Sequence, residues 1–122
     1  MAGCGGMLGE AFYKGFMLDY DLMCTDIDVN EEWLKPLDFR NYNEYLSDVE
    51  KFQPNYLFHI GAHTSLEYCE LNEEDAYRTN TLSVENAVNI SNKLNIPIIY
   101  ISTAGIFDGE KNYYDESDLP NP

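Results

Sequence analysis

The sequence predicts an α/β domain built on a doubly wound parallel sheet, and two observations support that prediction. Short apolar runs alternate along the chain with segments whose apolar residues recur at helical spacing. A glycine-rich turn, residues 3–9, leads into the first helical segment. Strands that alternate with helices form βαβ units, and such units cover both faces of a parallel sheet with helices.

Three elements are predicted in the first third of the chain. A helix runs from about residue 6 to residue 16. Its apolar residues at helical spacing are Met7, Leu8, Ala11 and Phe12. Residues 22–27 are a short apolar run with an acid near its end, which predicts a buried strand. Residues 34–39 are interrupted by Pro36 and fit an edge strand or a loop.

The alternation continues through the rest of the chain. Residues 43–52 carry one apolar stripe and predict a helix. Residues 56–60 form a nearly continuous apolar strand, and a long helical segment follows over about residues 74–94. Residues 96–102 predict a last buried strand. From Phe107 onward Asp, Glu, Gly, Asn and Pro dominate, which predicts a loop.

Composition and charge exclude several classes of protein. The 122 residues, 44% of them apolar, are enough for one hydrophobic core in at most one domain. With 22 acidic and 7 basic residues the formal net charge is −15. Such a surface repels phosphate backbones and anionic lipid, so we expect neither nucleic-acid nor membrane binding. A nucleotide can still bind, because backbone N–H groups at a helix N-terminus hold phosphate without cationic side chains.

The cysteines and the absence of apolar segments indicate the compartment. Cys4, Cys24 and Cys69 are an odd number of scattered cysteines, which favours free thiols in a reducing cytosol. No basic region followed by an apolar run opens the chain, and no segment is long enough to cross a membrane. We therefore expect a soluble, cytoplasmic protein. No cluster of side chains predicts a metal site.

The glycine turn predicts a dinucleotide site. Its spacing, G-x-x-G-x-x-G, is typical of turns that set a pyrophosphate on a helix N-terminus. Gly3 would permit the tight turn, Gly6 would let the backbone approach the pyrophosphate, and Gly9 would let the helix pack closely on the sheet. Glycines also cluster in flexible N-termini, so the turn by itself is a weak signal.

The turn should follow a buried strand, and only Met1 and Ala2 precede it. We therefore expect the first strand of the fold to be missing and the edges of two neighbouring strands to face a gap.

An acid follows the next strand at the spacing that a dinucleotide site requires. Asp26 lies about 20 residues past Gly6, where a carboxylate accepts hydrogen bonds from the adenosine ribose. A carboxylate there repels a 2′-phosphate and favours NAD over NADP. The alternative is an ordinary solvated acid in an acidic chain, which Asp28 nearby keeps open.

Three further positions lie where parallel strands or their helices approach a ligand. Residues 61–64, Gly-Ala-His-Thr, follow a buried strand, and their small members would let a cofactor come close. His63 is either a base or a capping and packing residue. Asn80 falls on the apolar face of the long helix, where it serves function or pins neighbouring backbone. Ser102 and Thr103 would place a hydroxyl in the same crevice.

Taken together, these residues resemble the extended short-chain dehydrogenases/reductases, which have a Rossmann-like NAD(P)-binding fold, and within them the dTDP-4-dehydrorhamnose reductase family. The resemblance covers essentially the whole chain. The Ala-His-Thr step and the Ser-Thr…Phe-Asp-Gly block point to the rhamnose branch. The motifs that carry the resemblance are Gly3/Gly6/Gly9, Asp26, Leu37-Asp38-Phe39, Ala62-His63-Thr64, Asn80, Ser102-Thr103 and Phe107-Asp108-Gly109.

The resemblance implies NADPH or NADH as the cofactor and assigns residues to it. Residues 6–8 would line the pyrophosphate, Asp26 the adenosine ribose, residues 38–39 the adenine, and residues 62–64 the path toward the nicotinamide. Thr103 matches the catalytic Ser/Thr, which hydrogen-bonds the substrate carbonyl and the catalytic tyrosine. The implied cofactor-binding residues are Gly3, Gly6, Met7, Leu8, Gly9, Asp26, Asp38, Phe39, Ala62, His63 and Thr64.

The chain departs from the family in two places. Members commonly have Thr-Asp-Tyr-Val-Phe where residues 103–107 are Thr-Ala-Gly-Ile-Phe, a change that affects the sugar contacts and not the cofactor fold. The resemblance places the family's Tyr-x-x-x-Lys pair just after Pro122. Neither Tyr113 nor Tyr114 can substitute, because no Lys lies four residues on. We therefore expect residues 1–122 to be the N-terminal part of an NAD(P)-binding domain that does not turn over alone.

The activity that the resemblance implies is reduction of a 4-keto-6-deoxy nucleotide sugar, dTDP-4-dehydrorhamnose to dTDP-L-rhamnose. Two alternatives stay open. One is a sugar-nucleotide epimerase or dehydratase of the same superfamily. The other is a non-catalytic relative, of the kind that serves as a regulatory subunit of methionine adenosyltransferase. The implied partners are a nucleotide-sugar substrate and a second copy of the full-length protein.

Overall fold

The computed structural model describes all 122 residues as alternating strands and helices around a parallel sheet. Between the last two helices lies a π-helical turn, Arg78–Leu82, and a 3-10 turn, Ala104–Ile106, follows the last strand. The helices are α1 (Met7–Phe16), α2 (Tyr42–Phe52), α3 (Leu66–Leu71), α4 (Glu73–Tyr77) and α5 (Ser83–Leu94). The strands are β1 (Cys24–Asp26), β2 (Leu34–Pro36), β3 (Leu57–His59) and β4 (Ile98–Tyr100).

The sheet consists of two parallel pairs joined by the first residues of the chain. In one pair, β1 runs parallel to β2 with Cys24 opposite Leu34. In the other, β3 runs parallel to β4 with Leu57 opposite Ile98. Ala2 lies between the pairs and forms parallel bridges to both β1 and β3. The order across the sheet is therefore β2-β1-Ala2-β3-β4, and all carboxyl ends point to one edge.

No strand precedes α1, as expected, but Met1 and Ala2 bridge β1 and β3, so these two strands do not face an open gap at that level. The Ala2 N–H donates to the carbonyl of Phe58 at 2.8 Å, and its own carbonyl accepts from the Ile60 N–H at 3.0 Å. On the other side, the Thr25 N–H donates to the carbonyl of Met1 at 3.0 Å. Two residues suffice because the flanking strands are each three residues long.

Helices cover both faces of the sheet, which confirms the predicted doubly wound α/β fold. On one face, Phe12 of α1 packs edge-on against Phe58 at 5.6 Å between ring centroids. On the other face, the buried core joins Leu57 to residues of α2 and α5. Successive strand residues point to opposite faces, so Leu57 and Phe58 necessarily contact different layers. The buried α2 and α5 residues of this core are Tyr45, Val49, Ala87 and Ile90.

The bounds of α1 agree with the prediction, but its buried face differs from the predicted apolar residues. Met7 is 87% exposed, Leu8 is 42% exposed, and Ala11 is also exposed. Of the four apolar residues only Phe12 faces inward, together with Gly9 and the residues one turn further on. The reason is that α1 begins at the carboxyl edge of the sheet, so its first turn projects past the strands.

Three other predictions and one missed helix need comment. Within residues 34–39, Leu34–Pro36 form the edge strand β2, and Pro36 is exposed. Proline has no N–H to donate to a neighbouring strand and is therefore confined to sheet edges. The last strand, β4, lies at the opposite edge and is only half-buried, so the prediction of a buried strand was wrong. The predicted helix over residues 74–94 is present but contains the π-helical turn. The helix α3, capped by the Ser65 hydroxyl, was missed because it buries no residue.

None of the helices is both long enough and apolar enough to cross a membrane.

Candidate cofactor site

The predicted site residues collect at the edge of the sheet where the parallel strands end. Gly3 follows the bridging Ala2, Asp26 ends β1, and Gly61 follows β3. In open parallel sheets, ligands bind in the crevice at this edge, between strands whose connections run in opposite directions. The chain has such a reversal at Ala2, since β1 and β3 lie on its two sides.

Two glycines of the loop are required by close backbone contacts. Gly3 has φ +83°, a conformation that other residues rarely adopt, and a Cβ there would lie 2.2 Å from the Cα of Gly61. In α1, a Cβ on Gly9 would lie 2.2 Å from the carbonyl oxygen of Cys4. These contacts bring the loop against β3 and the helix against the loop. The contact of Gly3 agrees with the predicted tight turn, whereas Gly9 packs against Cys4 of the loop and not against the sheet.

The N-terminus of α1 is open. Gly6 caps the helix without a side chain, and no atom lies within 4 Å of the position where its Cβ would be. The first N–H groups of any helix have no partner inside the helix, and the helix dipole adds partial positive charge there. Backbone donors, positive potential and a space that a Cβ would partly fill together fit a pyrophosphate.

Asp26 reaches back to the glycine loop. Its Oδ2 accepts a hydrogen bond from the Gly5 N–H at 2.7 Å, and its Oδ1 accepts from the Asp28 N–H at 3.1 Å. The carboxylate therefore lies beside the helix N-terminus, at the end of β1. Each oxygen retains a lone pair, since a carboxylate accepts about four hydrogen bonds. Those lone pairs are available to ribose hydroxyls.

A network of charged side chains borders the site beyond β2. Asp38 is bidentate to Arg40, through Oδ1 to Nε at 2.8 Å and Oδ2 to Nη2 at 2.9 Å. Arg40 also donates from Nη1 to Asp75 at 3.0 Å. The hydrogen bonds from Arg40 hold the pKa of Asp38 below its usual value. The other oxygen of Asp75 contacts Nε2 of His63 at 2.9 Å and accepts from the Tyr68 hydroxyl at 3.1 Å.

Asn80 pins the backbone of the segment after β3. Its Oδ1 accepts from the His63 N–H at 2.8 Å, and its Nδ2 donates to the His63 carbonyl at 2.9 Å. The side chain thus satisfies both backbone groups of one residue. Of the two interpretations left open from the sequence, the structure supports backbone pinning. The imidazole of His63 is itself bonded to Asp75 through Nε2.

The aromatic ring of Phe39 lies against the same segment. A Cβ on Gly61 would be 2.5 Å from Cε1 of Phe39, so only glycine admits the ring this close. The ring also meets His59 edge-on at 4.9 Å. Phe39 therefore closes the site on the side where the resemblance places the adenine.

The remaining predicted residues lie at the same edge but make none of these contacts. Ala62 and Thr64 are exposed on either side of His63. Thr103 is exposed just beyond β4, and its Oγ1 accepts from the Gly105 N–H at 3.1 Å, which caps the 3-10 turn. The structure gives its hydroxyl a local role and brings no other predicted site residue to it.

Sequence reasoning missed Arg40, Tyr68 and Asp75, which connect the two sides of the site. Arg40 could have been suspected, because a basic residue two positions after Asp38 is unusual in so acidic a chain. Asp75 gave no signal, since it is one of three consecutive acids and its partner Arg40 is 35 residues away.

Comparison with known proteins identifies two groups of relatives. A dTDP-4-dehydrorhamnose reductase of Aggregatibacter actinomycetemcomitans is 29% identical over 126 residues, which are 100% of this chain and 40% of that protein. Methionine adenosyltransferase 2 subunit beta of Danio rerio is 28% identical over 128 residues, 100% of this chain and 38% of that protein. The chain thus spans about two fifths of the length of these relatives.

Solved structures and a family model agree with the motifs. A hypothetical dTDP-4-dehydrorhamnose reductase from Sulfolobus tokodaii matches with a TM-score of 0.91 at 27% identity, over 99% of this chain and 44% of that one. The model of a family described as the RmlD substrate binding domain matches residues 1–122. The resemblance to dTDP-4-dehydrorhamnose reductases is confirmed, and the chain belongs to the family of the RmlD substrate binding domain.

Proposed function

We propose that residues 1–122 form the NAD(P)H-binding part of a reductase that acts on a 4-keto-6-deoxy nucleotide sugar, dTDP-4-dehydrorhamnose in the first instance. The observation that carries the proposal is the open N-terminus of α1, with the Asp26 carboxylate held beside it by the Gly5 N–H at 2.7 Å. A pyrophosphate and an adjacent ribose need this pair of features.

Each part of the site then has a task. The first turn of α1 binds the pyrophosphate, Asp26 accepts from the ribose, and Phe39 contacts the adenine. Residues 62–64 lie along the cofactor toward its nicotinamide, which supplies hydride when bound. Thr103, just beyond the neighbouring strand, would donate a hydrogen bond from its hydroxyl to the substrate carbonyl, and its Oγ1 can accept from the Gly105 N–H at the same time.

The arrangement of charges around Asp26 favours NADH over NADPH. With the ribose bound at Asp26, a 2′-phosphate would come close to the carboxylates of Asp26 and the adjacent Asp28, and like charges repel. The nearest charged network offers no free cation, because Arg40 is bonded to Asp38 and Asp75.

Replacement of Asp26 tests this assignment. Asp26→Ala should raise the Kd of NADH by about tenfold, the loss of one charge-assisted hydrogen bond to the ribose, and should change that of NADPH much less. Titration of nicotinamide fluorescence in the protein expressed from its complete reading frame measures both constants. Asp28→Ala is the matched control, because Asp28 is exposed and adjacent, and it should leave NADH affinity nearly unchanged.

Two results would count against the proposal. Equal weakening of NADH and NADPH by Asp26→Ala would remove the ribose role from Asp26 and leave the cofactor site intact. Failure of the unaltered protein to bind either nucleotide would remove the cofactor function altogether.

A second candidate function is a non-catalytic regulatory subunit, favoured by the 28% identity to methionine adenosyltransferase 2 subunit beta over the whole chain. The two candidates differ in turnover. A reductase oxidises NADH or NADPH when dTDP-4-dehydrorhamnose is added, whereas a regulatory subunit binds the cofactor without oxidising it. An epimerase or dehydratase would convert the sugar without net oxidation of added cofactor, so product analysis separates that alternative too.

A further inference from the structure

A chain of buried hydrogen bonds lies directly beneath the cofactor edge. The Tyr45 hydroxyl is 3.2 Å from Nδ1 of His59, and Nε2 of His59 is 3.1 Å from Oγ of Ser83. The Ser83 hydroxyl then bonds to the backbone carbonyl of Thr79 at 2.5 Å. His59 and Ser83 are completely buried and Tyr45 nearly so. The chain connects α2, β3 and the π-helical turn.

Only one arrangement of protons satisfies the whole chain. The Thr79 carbonyl can only accept, so the Ser83 hydroxyl donates to it and accepts from Nε2–H of His59. Nδ1 of His59 then has no proton and accepts from the Tyr45 hydroxyl. Burial lowers the pKa of His59 to about 4, which agrees with a neutral imidazole. The chain is therefore directional, and every donor in it is used.

The Ser83 end of this hydrogen-bond chain fixes the helical register. Ser83 follows the π-helical turn Arg78–Leu82 and donates its backbone N–H to the carbonyl of Arg78, five residues back. A π turn holds one more residue than an α-helical turn, which rotates the preceding residues by about 100° relative to the following helix. Asn80 lies inside this turn. Its direction relative to α5 therefore depends on the turn being kept.

Asn80 in turn holds the segment that the proposed function places along the cofactor. It bonds to both backbone groups of His63, at 2.8 and 2.9 Å. His59, in β3, thus contacts the end of this turn through Ser83. His63, in the segment just after β3, contacts the same turn through Asn80. Relaxation of the turn to α-helix would move Asn80 away from His63.

The turn also carries a local penalty. The Thr79 hydroxyl oxygen is buried and has no hydrogen-bond partner. Buried polar groups are nearly always paired, so this geometry is kept although it leaves a group unsatisfied. The hydrogen bonds of Ser83 and Asn80 are the interactions that can stabilise the π-helical turn.

We propose that Ser83 and His59 are positioning residues: they hold the π-helical turn, the turn aims Asn80, and Asn80 shapes the nicotinamide-side segment at His63. None of them needs to touch the cofactor. The proposal rests on the proposed cofactor site, because only a cofactor there gives residues 62–64 something to bind.

The test compares two nucleotides in the protein expressed from its complete reading frame. Ser83→Ala should weaken NADH binding by about tenfold, the cost of a lost buried hydrogen bond, while ADP, which reaches only the glycine-loop side, binds as before. Thr79→Val is the control. It removes the unpaired hydroxyl, keeps the backbone carbonyl that Ser83 uses, and should change neither affinity.

A double-mutant cycle adds the decisive readout. If Ser83 acts through Asn80, then Asn80→Ala should weaken NADH similarly, and the double variant should be little worse than either single variant. Circular dichroism and urea unfolding establish that each variant is folded. If Ser83→Ala does not fold, Tyr45→Phe breaks the same chain at its other end while keeping the packing, and the same NADH-selective loss is expected.

The outcomes separate this inference from the proposed function. Additive losses in the cycle, equal weakening of NADH and ADP, or unchanged NADH affinity in both folded chain variants would each overturn the positioning role while leaving the cofactor site in place. A parent protein that binds neither NADH nor ADP would overturn the proposed function and this inference together.

Discussion

The two sides of the candidate site are built by different means. On the glycine-loop side, residues 3–9 are placed by backbone contacts: the Gly9 Cα approaches Cys4, and the Gly3 Cα approaches Gly61. On the β3 side, His63 is placed by a side chain, Asn80, which bonds both of its backbone groups. One side is therefore sensitive to added atoms and the other to lost polar partners.

This difference follows from what each side must present. A pyrophosphate binds to free backbone N–H groups, so side chains that filled the loop would occupy the space of the ligand. The segment after β3 leads into α3, whose N-terminus is already capped by the Ser65 hydroxyl, and the backbone at His63 is held in shape by a neighbouring side chain. A side-chain amide does so because it can donate and accept at once.

The largest effect is expected where an atom is added to the glycine-loop side. Gly9→Ala should lower the free energy of unfolding by about 3 kcal/mol or more, because overpacking of a well-packed site costs this much. The new Cβ would meet the Cys4 carbonyl oxygen at 2.2 Å, and that oxygen belongs to backbone that cannot turn aside. Urea unfolding measures the change.

The matched control lies in the same helix. Gly15 has no atom within 4 Å of its Cβ position, so Gly15→Ala should stabilise the protein by about 0.5–1 kcal/mol through helix propensity alone. If Gly9→Ala lowers the free energy of unfolding and Gly15→Ala raises it, the contact with Cys4 is what makes Gly9→Ala destabilising. Changes of the same sign in the two variants would contradict the steric explanation for glycine at position 9.

The β3 side should respond to pH. Burial lowers the pKa of His59 to about 4, against a usual value of 6.5. Between these values the unfolded chain binds a proton that the folded chain does not, so stability is complete above pH 6.5 and falls as the pH is lowered. A fall from pH 6.5 to pH 5 should cost about 1.6 kcal/mol from this group.

The control for that experiment is a side chain that does not titrate. His59→Asn removes the proton and should flatten the dependence between pH 6.5 and about pH 5, although the variant is less stable throughout. Carboxylates such as Asp38, whose pKa is held low by Arg40, contribute alike in both proteins. Parallel curves for the parent and the variant would show that His59 is not the group responsible.

The fold and the glycine-loop side could be predicted from sequence because their causes are local. The α1 bounds, the edge strand at Pro36 and the place of Asp26 each follow from spacing or from a single residue's conformational limits. The burial of α1 could not be predicted in the same way. Helical spacing gives a face, but where the helix starts relative to the sheet edge decided that Met7 would be exposed.

The β3 side could be predicted only in part, because its causes are distant in sequence. Asn80 stood out as a polar residue on an apolar face, and the pinning interpretation is now supported by both of its bonds to His63. The π turn around it has no compositional signature. Its partners Ser83 and His59 are 24 residues apart, and only the packing of α5 on β3 brings them together.

The smallest effect concerns the charged network that joins the two sides. Arg40→Gln removes the bidentate pair with Asp38 and the bond to Asp75. The three side chains are 20–34% exposed, so solvent and salt screen them and the loss should be about 1 kcal/mol at low salt. Urea unfolding in low and high salt measures it, and most of the loss should disappear at about 1 M salt, where the Debye length is about 3 Å.

The surface pair of Lys14 and Glu10 provides the comparison for that last effect. Both side chains are more than half exposed and lie one turn apart on α1, away from the site. Lys14→Gln should leave the unfolding midpoint unchanged at either salt concentration, as isolated surface pairs do. If Arg40→Gln behaved in the same way, the network would not connect the two sides energetically. The glycine loop and the β3 segment would then be independent halves of one site, joined only through the sheet.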